Sequence, residues 1–437
     1  MSTTRTVSVG ELFQSMPMSA RHWKIGFALL FVFVVEAWQM MIVVLAGQSI
    51  KADLNIDDVQ LGSLMGAIFL GMIPGALMWE RVIDRIGRQR ALRWSMGAYA
   101  VLSLASCIAP TFYTLWVMRF VCGVLLVGAV VITFPYFEEL LPTKVRGKAS
   151  VYLASGWPVG ILMAVATTYL FADLGWRWIL GGSSVAALLA VALTRLVPES
   201  PYWLFDKGRH DEARAVVASL SSGEHIETVR NATLEKPVSA ATSSGSIFTA
   251  GVAKVTAAQF TINFCFTFAA WAMSSWLPVM LAKRGLSMSE GLEFVALSAL
   301  CMIPGYVAAS YMTGRVGRKK TMVTFVLLAS VSGFGFAYAQ TVTQLYVWNF
   351  LLSFFNLGAW GVWNTWMGEI YATHLRIRGY SWGVSVARMA NAAAPIVIGT
   401  MLASLSVSFT VAFISCFLIA TAGAALFLPE TEGKALS

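Results

Sequence analysis

Charge is what this chain has least of: Asp, Glu, Lys and Arg make up 12% of its 437 residues, while 57% are hydrophobic and 13% aromatic. Soluble domains carry about 25% charged residues. With a mean hydropathy of +0.70, the chain has more apolar surface than a water-soluble globule buries, which leaves lipid as its solvent. Histidine is as scarce, with four residues and none inside an apolar run. The five cysteines, Cys107, Cys122, Cys265, Cys301 and Cys416, sit singly within apolar runs. Their spacing matches neither a zinc site nor a disulfide framework, so they read as apolar filler. A phosphate-binding glycine loop, a cluster of metal ligands and a nucleophile beside a base are all missing from the sequence. It therefore predicts no enzyme, no cofactor and no metal. The net charge of +9 would suit nucleic acid as one continuous basic face, but these basic residues are scattered over short connections, which excludes that partner.

What is present is a series of long apolar runs. A helix crosses the roughly 30 Å hydrocarbon layer with about 20 apolar residues, and about twelve such runs are legible, at approximately 25–47, 60–79, 91–109, 113–136, 150–171, 176–197, 255–280, 292–313, 321–339, 344–367, 380–402 and 406–428. They lack the period-two alternation of barrel strands, so the fold class is an all-α membrane bundle. Basic residues gather in alternate connections: Arg81, Arg85, Arg88, Arg90 and Arg93; Lys144, Arg146 and Lys148; Arg315, Arg318, Lys319 and Lys320; Arg376 and Arg378. The positive-inside rule then puts both termini and the long polar segment 198–251 in the cytoplasm. The polar N-terminus shows no signal-peptide pattern, and the first span acts as the insertion signal. The expected organisation is a six-helix unit 1–197, a linker 198–251 with short helices followed by a Ser, Ala and Thr rich stretch, and a six-helix unit 252–437.

The two units are copies. "GMIPGALMWERVIDRIGRQR" (71–90) lies over "CMIPGYVAASYMTGRVGRKK" (301–320) with Arg85 on Arg315, Gly87 on Gly317 and Arg88 on Arg318. The same shift places Glu139 on Glu369 and Arg146 on Arg376, while Glu199 meets Glu430 one residue out of step. Identical charges in corresponding loops point to a parallel repeat, two bundles related by an axis along the membrane normal around a central site.

With these motifs in order, the chain resembles the major facilitator superfamily along its whole length. "ERVIDRIGRQR" is similar to the signature between helices 2 and 3 of that superfamily, matching at Asp84, Arg85, Gly87 and Arg88. It departs where Glu80 replaces a glycine and where Gly314 replaces the aspartate in the second copy. "EELLPTKVRG", "PESPYWL" and "PETEGK" resemble sugar-porter signatures, while "WLPVMLAKRGLSMSEG" and "ARMANAAAP" look closer to organic-ion and aromatic-acid symporters. The arginines of these loops read as a conformational latch with carboxylates as well as a topological anchor, with the anchor alone as the alternative. The latch set is Asp84, Arg85, Gly87, Arg88, Glu139, Arg146, Glu199, Arg315, Gly317, Arg318, Glu369 and Arg376; its ion pairs would form when the basic ends of the bundles meet.

Charges inside a membrane are costly and mark function, and three stand out: Glu36 in the first span, Arg119 in the fourth and Arg388 in the eleventh. Glu36 and Arg119 resemble the acid and arginine that couple protons in many relatives. They read either as a proton site switched by movement of Arg119 or as an ion pair holding the bundle. The coupling aspartate of sugar porters would fall on Gln39, which cannot titrate. Arg388 is then the cation left for a substrate carboxylate. Trp38, Phe264, Trp271 and Trp363, with Asn263 and Asn364 as amides and Gln39 beside them, complete the expected substrate set; each Trp reads equally as packing. The expectation is a monomeric secondary transporter in a bacterial inner membrane, taking up a small organic, aromatic carboxylate by proton symport, with protons and membrane lipid as its other partners. A uniporter, an organic-cation or drug transporter and, more distantly, a transporter-like receptor are the alternatives.

Overall fold

In the computed structural model, the described residues are 6–142, 145, 152–221, 233–235, 246–249, 251–367, 369–371 and 373–431. Among these described residues, twelve helices are long and apolar enough to cross a membrane. They are α1 (Ala20–Leu45), α2 (Asp58–Ile86), α3 (Arg88–Ala105), α4 (Phe112–Glu139), α5 (Gly156–Phe171), α6 (Trp176–Leu193), α7 (Ala253–Lys283), α8 (Met288–Val316), α9 (Arg318–Ala337), α10 (Val342–Met367), α11 (Thr373–Ser404) and α12 (Val407–Ala425).

Local chemistry sets their ends. Asp57 accepts from the Gln60 N–H at 2.7 Å to start α2, and Ser287 and Glu290 form the reciprocal box that starts α8. These pairs satisfy amide groups that a helix N-terminus leaves open. Gly87 and Gly317, with φ of 89° and 94°, break α2 from α3 and α8 from α9 at equivalent positions, where a side chain would be strained. The start of α1 differs from the sequence reading: Ser19 and His22 close its first turn through a 3.0 Å bond from the Ser19 N–H to His22 Nδ1. One histidine, buried, therefore does lie within a span.

Packing repeats as the sequence does. In each half the second helix packs on the fourth, the third on the fourth and sixth, and the first on the fifth, giving α2 with α4 and α8 with α10 as equivalent pairs. Glycines allow the approach. A Cβ on Gly75 would lie 2.7 Å from the Val124 carbonyl oxygen, and one on Gly305 would lie 2.1 Å from that of Phe354. Between halves, α2 packs on α11 and α5 on α8.

The segment before α1, read from sequence as simply polar, is folded. A helix at Val9–Ser15 buries Leu12 and Phe13, with Phe13 stacked on Tyr202 at 6.0 Å. Strand β1 (Thr6–Ser8) pairs in parallel with β2 (Thr233–Glu235), in a register that sets Val7 opposite Leu234. The expected short linker helices are Pro201–Asp206 and His210–Leu220.

Candidate substrate and coupling site

The sequence motifs at the basic end build two matching clusters. Turning at Gly87, the chain presents the backbone N–H groups of Arg88 and Gln89 to the Glu199 carboxylate at 2.8 and 3.2 Å, while the Arg88 guanidinium meets Glu139 at 3.2 Å. In the second half the N–H groups of Arg318 and Lys319 donate to Glu430 at 3.0 and 3.1 Å, and Arg318 pairs with Glu369 at 2.6 Å. The Tyr136 hydroxyl donates to the Pro198 carbonyl, and the Trp366 indole N–H to that of Pro429. Each cluster ties the α2–α3 or α8–α9 turn to the ends of the fourth and sixth helices of its own half.

These bonds, from Arg88 to Glu139, from Arg318 to Glu369 and from the backbone at each turn to Glu199 or Glu430, each lie within one bundle and stiffen its basic end. Asp84 and Arg85 are exposed, with the Asp84 backbone carbonyl accepting from the Trp203 indole, and Arg315 lies over the Tyr311 ring at 4.4 Å. Arg146 and the side chain of Arg376 fall outside the described residues.

The halves are joined at the opposite end. There Asp58, at the start of α2, accepts from Lys51 at 2.5 Å and from Lys283 of α7 at 3.0 Å, and Lys283 also donates to the Leu402 carbonyl at 2.7 Å. Below them the Trp276 indole donates to the Pro395 carbonyl at 2.9 Å. Gly62 and Gly66 of α2 leave no room for a side chain against Pro395 and Ala392 of α11. The spacing of Gly62 and Gly66 is a small-xxx-small helix contact, a signal for this closure that the motif reading passed over.

In the middle of the bundle the three rare charges are arranged differently from expectation. Glu36 is 3% exposed and Arg119 1% exposed, yet they form no ion pair. Arg119 instead donates to the Gln39 backbone carbonyl at 3.2 Å, inside the first bundle. Among the described residues Glu36 is in no ion pair, and its Oε2 has no hydrogen-bond partner; Arg388 of α11 is the opposite charge placed to act on it from the other bundle. Arg388 is half-buried and makes no hydrogen bond or ion pair to any described residue. Its five donors are open to a ligand.

Gln39 is also corrected. Its amide N–H donates to the Ser183 carbonyl at 2.6 Å, and its amide oxygen accepts from the Tyr99 hydroxyl at 2.9 Å and from Ser183 at 3.3 Å. Every polar group of that side chain is spent holding α1, α3 and α6 together. Asn263 and Trp363 satisfy each other in the same way, the indole donating to the Asn263 amide oxygen at 3.2 Å while the Asn263 amide donates to the Gln259 carbonyl at 3.0 Å. Phe264 stacks on Phe268, and Asn364 is exposed.

Trp271 does reach the interface. Its ring meets Phe69 of α2 edge-on at 4.6 Å and Trp157 of α5 at 5.9 Å, and Trp157 lies 6.2 Å from Phe33, one turn from Glu36 on α1. Phe69, Trp157 and Phe33 were not singled out from the sequence, where aromatics are too common to stand out. Buried polar atoms that lack a partner among the described residues include Glu36 Oε2, Trp38 Nε1, Ser275 Oγ and Asn391 Oδ1 on α1, α7 and α11, His22 Nε2 at the start of α1, and Arg119 Nε and Nη1 on α4. Buried polar groups without partners are rare. With Arg388 they are the donors and acceptors left open on these helices, and Trp271, Trp157 and Phe69 form an aromatic wall at the interface.

A family model described as "Sugar (and other) transporter" matches residues 20–437. The chain is similar to the niacin transporter NiaP of Acinetobacter baylyi, 30% identical over 435 residues with 97% of each chain covered. Among solved structures it is similar to the xylose transporter XylE from E. coli in its inward-open conformation, with a TM-score of 0.78 and 17% identity over 95% of this chain and 98% of that one. A D-xylose-proton symporter gives 0.74 and 19%, over 95% and 99%. At these identities the structures speak to the fold alone. The chain therefore belongs to the sugar (and other) transporter family of the major facilitator superfamily, as an integral membrane protein that crosses the bilayer many times.

Proposed function

We propose that this protein moves a small aromatic carboxylate across a bacterial inner membrane by proton-coupled symport with alternating access. The observation that carries this reading is Arg388, a half-buried guanidinium between the bundles with no hydrogen-bonding partner among the described residues. A carboxylate fits its planar fork through two parallel bonds. Trp271, Trp157 and Phe69 supply flat apolar surface for a ring. The relative at 30% identity supports the same chemistry, since it is named for niacin, a pyridine carboxylate. Under the positive-inside rule the basic end, both termini and the linker lie in the cytoplasm. The end joined by Asp58 and Lys283 is then the outer one. The units 1–197 and 252–437 swing as rigid bundles, each stiffened at its basic end by the Arg88 or Arg318 cluster, with 198–251 as the link and one chain as the working unit. A uniporter is the second reading, favoured by Gln39: the position where sugar porters place a coupling aspartate is a locked amide.

Uptake of radiolabelled nicotinate into proteoliposomes with an inward proton gradient tests the proposal. The expected result is accumulation above equilibrium that a protonophore abolishes, with competition by benzoate and none by xylose or an organic cation. Uptake that only equilibrates and ignores the gradient selects the uniporter. Transport of xylose or of a cation with none of nicotinate overturns the reading.

A further inference from the structure

We infer that Lys51, Asp58 and Lys283 form a releasable clasp at the outer mouth, in which Lys283 holds the mouth closed and Lys51 is the partner that frees it. The clasp needs the swinging bundles of the reading above and is independent of the solute they carry. The two oxygens of the Asp58 carboxylate hold one lysine each, Oδ1 accepting from Lys51 at 2.5 Å and Oδ2 from Lys283 at 3.0 Å. Lys51 lies on the short helix Gly47–Leu54 between α1 and α2, in the bundle of Asp58, whereas Lys283 ends α7 in the other. One bond of the triad spans the bundles and the other does not.

Each end of the spanning bond also has support at home. Asp58 occupies the first turn of α2, where free amide groups favour an anion, and it keeps Lys51. Lys283 donates to the Leu402 carbonyl at 2.7 Å in the last turn of α11, where unsatisfied carbonyls favour a cation. Backbone seals the mouth beside them. A Cβ on Gly399 of α11 would lie 2.6 Å from the Asp58 carbonyl oxygen, and one on Gly62 would lie 2.4 Å from that of Pro395. Contact between α2 and α11 therefore brings Lys283 to Asp58, and separation of these helices takes it away. Parting breaks a single ion pair and strands neither charge.

The direction in which each lysine pushes follows from the pairs present in each state. Lys283 and Asp58 attract only when the mouth is closed. Lys51 and Asp58 attract whether it is closed or open, so that bond does not bias the equilibrium. Lys51 and Lys283, held to one carboxylate, repel only when it is closed. Lys51 thus weakens the closed state although its own bond to Asp58 is the shorter one. Two lysines on the same carboxylate act with opposite sign on the same equilibrium.

The test places spin labels at Asp173→Cys and Ser289→Cys, exposed positions at the outer end of each bundle, in the full chain with its five native cysteines changed to alanine. Double electron-electron resonance in lipid nanodiscs reads the ratio of open to closed mouths, and melting temperature establishes folding. Trp276→Phe, which removes the indole bond to Pro395, serves as a second background with more open state, so that shifts of either sign are readable. K283Q is expected to raise the open ratio about threefold and D58N about fivefold, since D58N leaves the two lysines repelling; K51Q is expected to lower it about twofold, in the range of partly exposed ion pairs. In a K283Q background K51Q is expected to change nothing, because its effect passes through Lys283. A K51Q shift toward the open state, or one that persists without Lys283, overturns the clasp and leaves the transport reading standing. Distances that are identical in every folded variant overturn it as well. Failure to transport nicotinate overturns the carboxylate reading and leaves the clasp intact.

Discussion

The two bundles are nearly identical where they turn at the basic end and unlike where they face each other. The shift that sets Arg85 on Arg315 also sets Thr111 on Thr341, Gly75 on Gly305 and Val124 on Phe354. Both threonines cap the helix that follows, and both glycines meet the equivalent carbonyl. At the centre the same shift sets Arg119 on Asn349, which donates to Ser298, and Pro158 on Arg388. Duplication kept the parts that make a bundle rigid and let the centre diverge, leaving Glu36 and Arg119 on the first bundle and Arg388 on the second.

Rigidity is the shared property, and the sharpest way to break it is at the helix contacts. Gly305→Ala places a Cβ 2.1 Å from a backbone oxygen, against 2.7 Å for Gly75→Ala. Neither neighbour is a flexible side chain, so α8 and α10 or α2 and α4 must separate; overpacking costs about 1–3 kcal/mol and sometimes more. Thermal unfolding of the purified variants should show both destabilised, the second-half variant by more. Equal or negligible shifts would mean that the helices adjust freely.

A smaller and equal loss is expected at the turns. Gly87→Ala and Gly317→Ala each force a side chain into a φ near 90° and push a Cβ to within 2.3 or 2.4 Å of the Glu199 or Glu430 carboxylate. Strain of this kind costs about 1–3 kcal/mol. Matching falls in melting temperature would support equivalence of the two clusters, and a large difference would break it.

The carboxylates on the fourth and tenth helices should separate the clusters by the least. Glu369 holds Arg318 at 2.6 Å and accepts from the Thr431 hydroxyl at 2.8 Å, while Glu139 holds Arg88 at 3.2 Å and leaves Oε2 without a partner among the described residues. Glu369→Gln should cost about 1–2 kcal/mol and Glu139→Gln about 0.5 kcal/mol, in line with charge-assisted and weak bonds respectively. Chemical denaturation in detergent reads the order, and the reverse order would show that the 3.2 Å pair is the tighter one in solution.

Most of the fold was legible before any coordinates. Twelve apolar runs and a repeated charged motif specify a helical bundle, because hydrocarbon demands helices and duplication leaves its loops in register. The folded segment from Thr6 to Ser15 was not legible, since its short apolar patch at Leu12 and Phe13 gains meaning only against Tyr202, far along the chain. For the site, scarcity pointed to Glu36, Arg119 and Arg388, but scarcity names charges without pairing them. Arg119 turns one nitrogen to the Gln39 carbonyl rather than to Glu36, a matter of helix rotation that a single span does not encode. Gln39 shows the same limit: the sequence names it, but its amide is turned inward, toward Ser183 and Tyr99. Trp157 and Phe69 were hidden by the number of aromatics around them.

The account turns on Arg388 as the group that holds a carboxylate, and direct binding of nicotinate to purified wild type, R388A and R388K tests it without transport. Heat released on titration, with melting temperature followed in parallel to establish folding, should show binding by wild type, a loss of at least 100-fold in affinity for R388A, and partial recovery for R388K, whose point charge lacks the two-pronged fork. Unchanged affinity in a folded R388A protein would contradict the account.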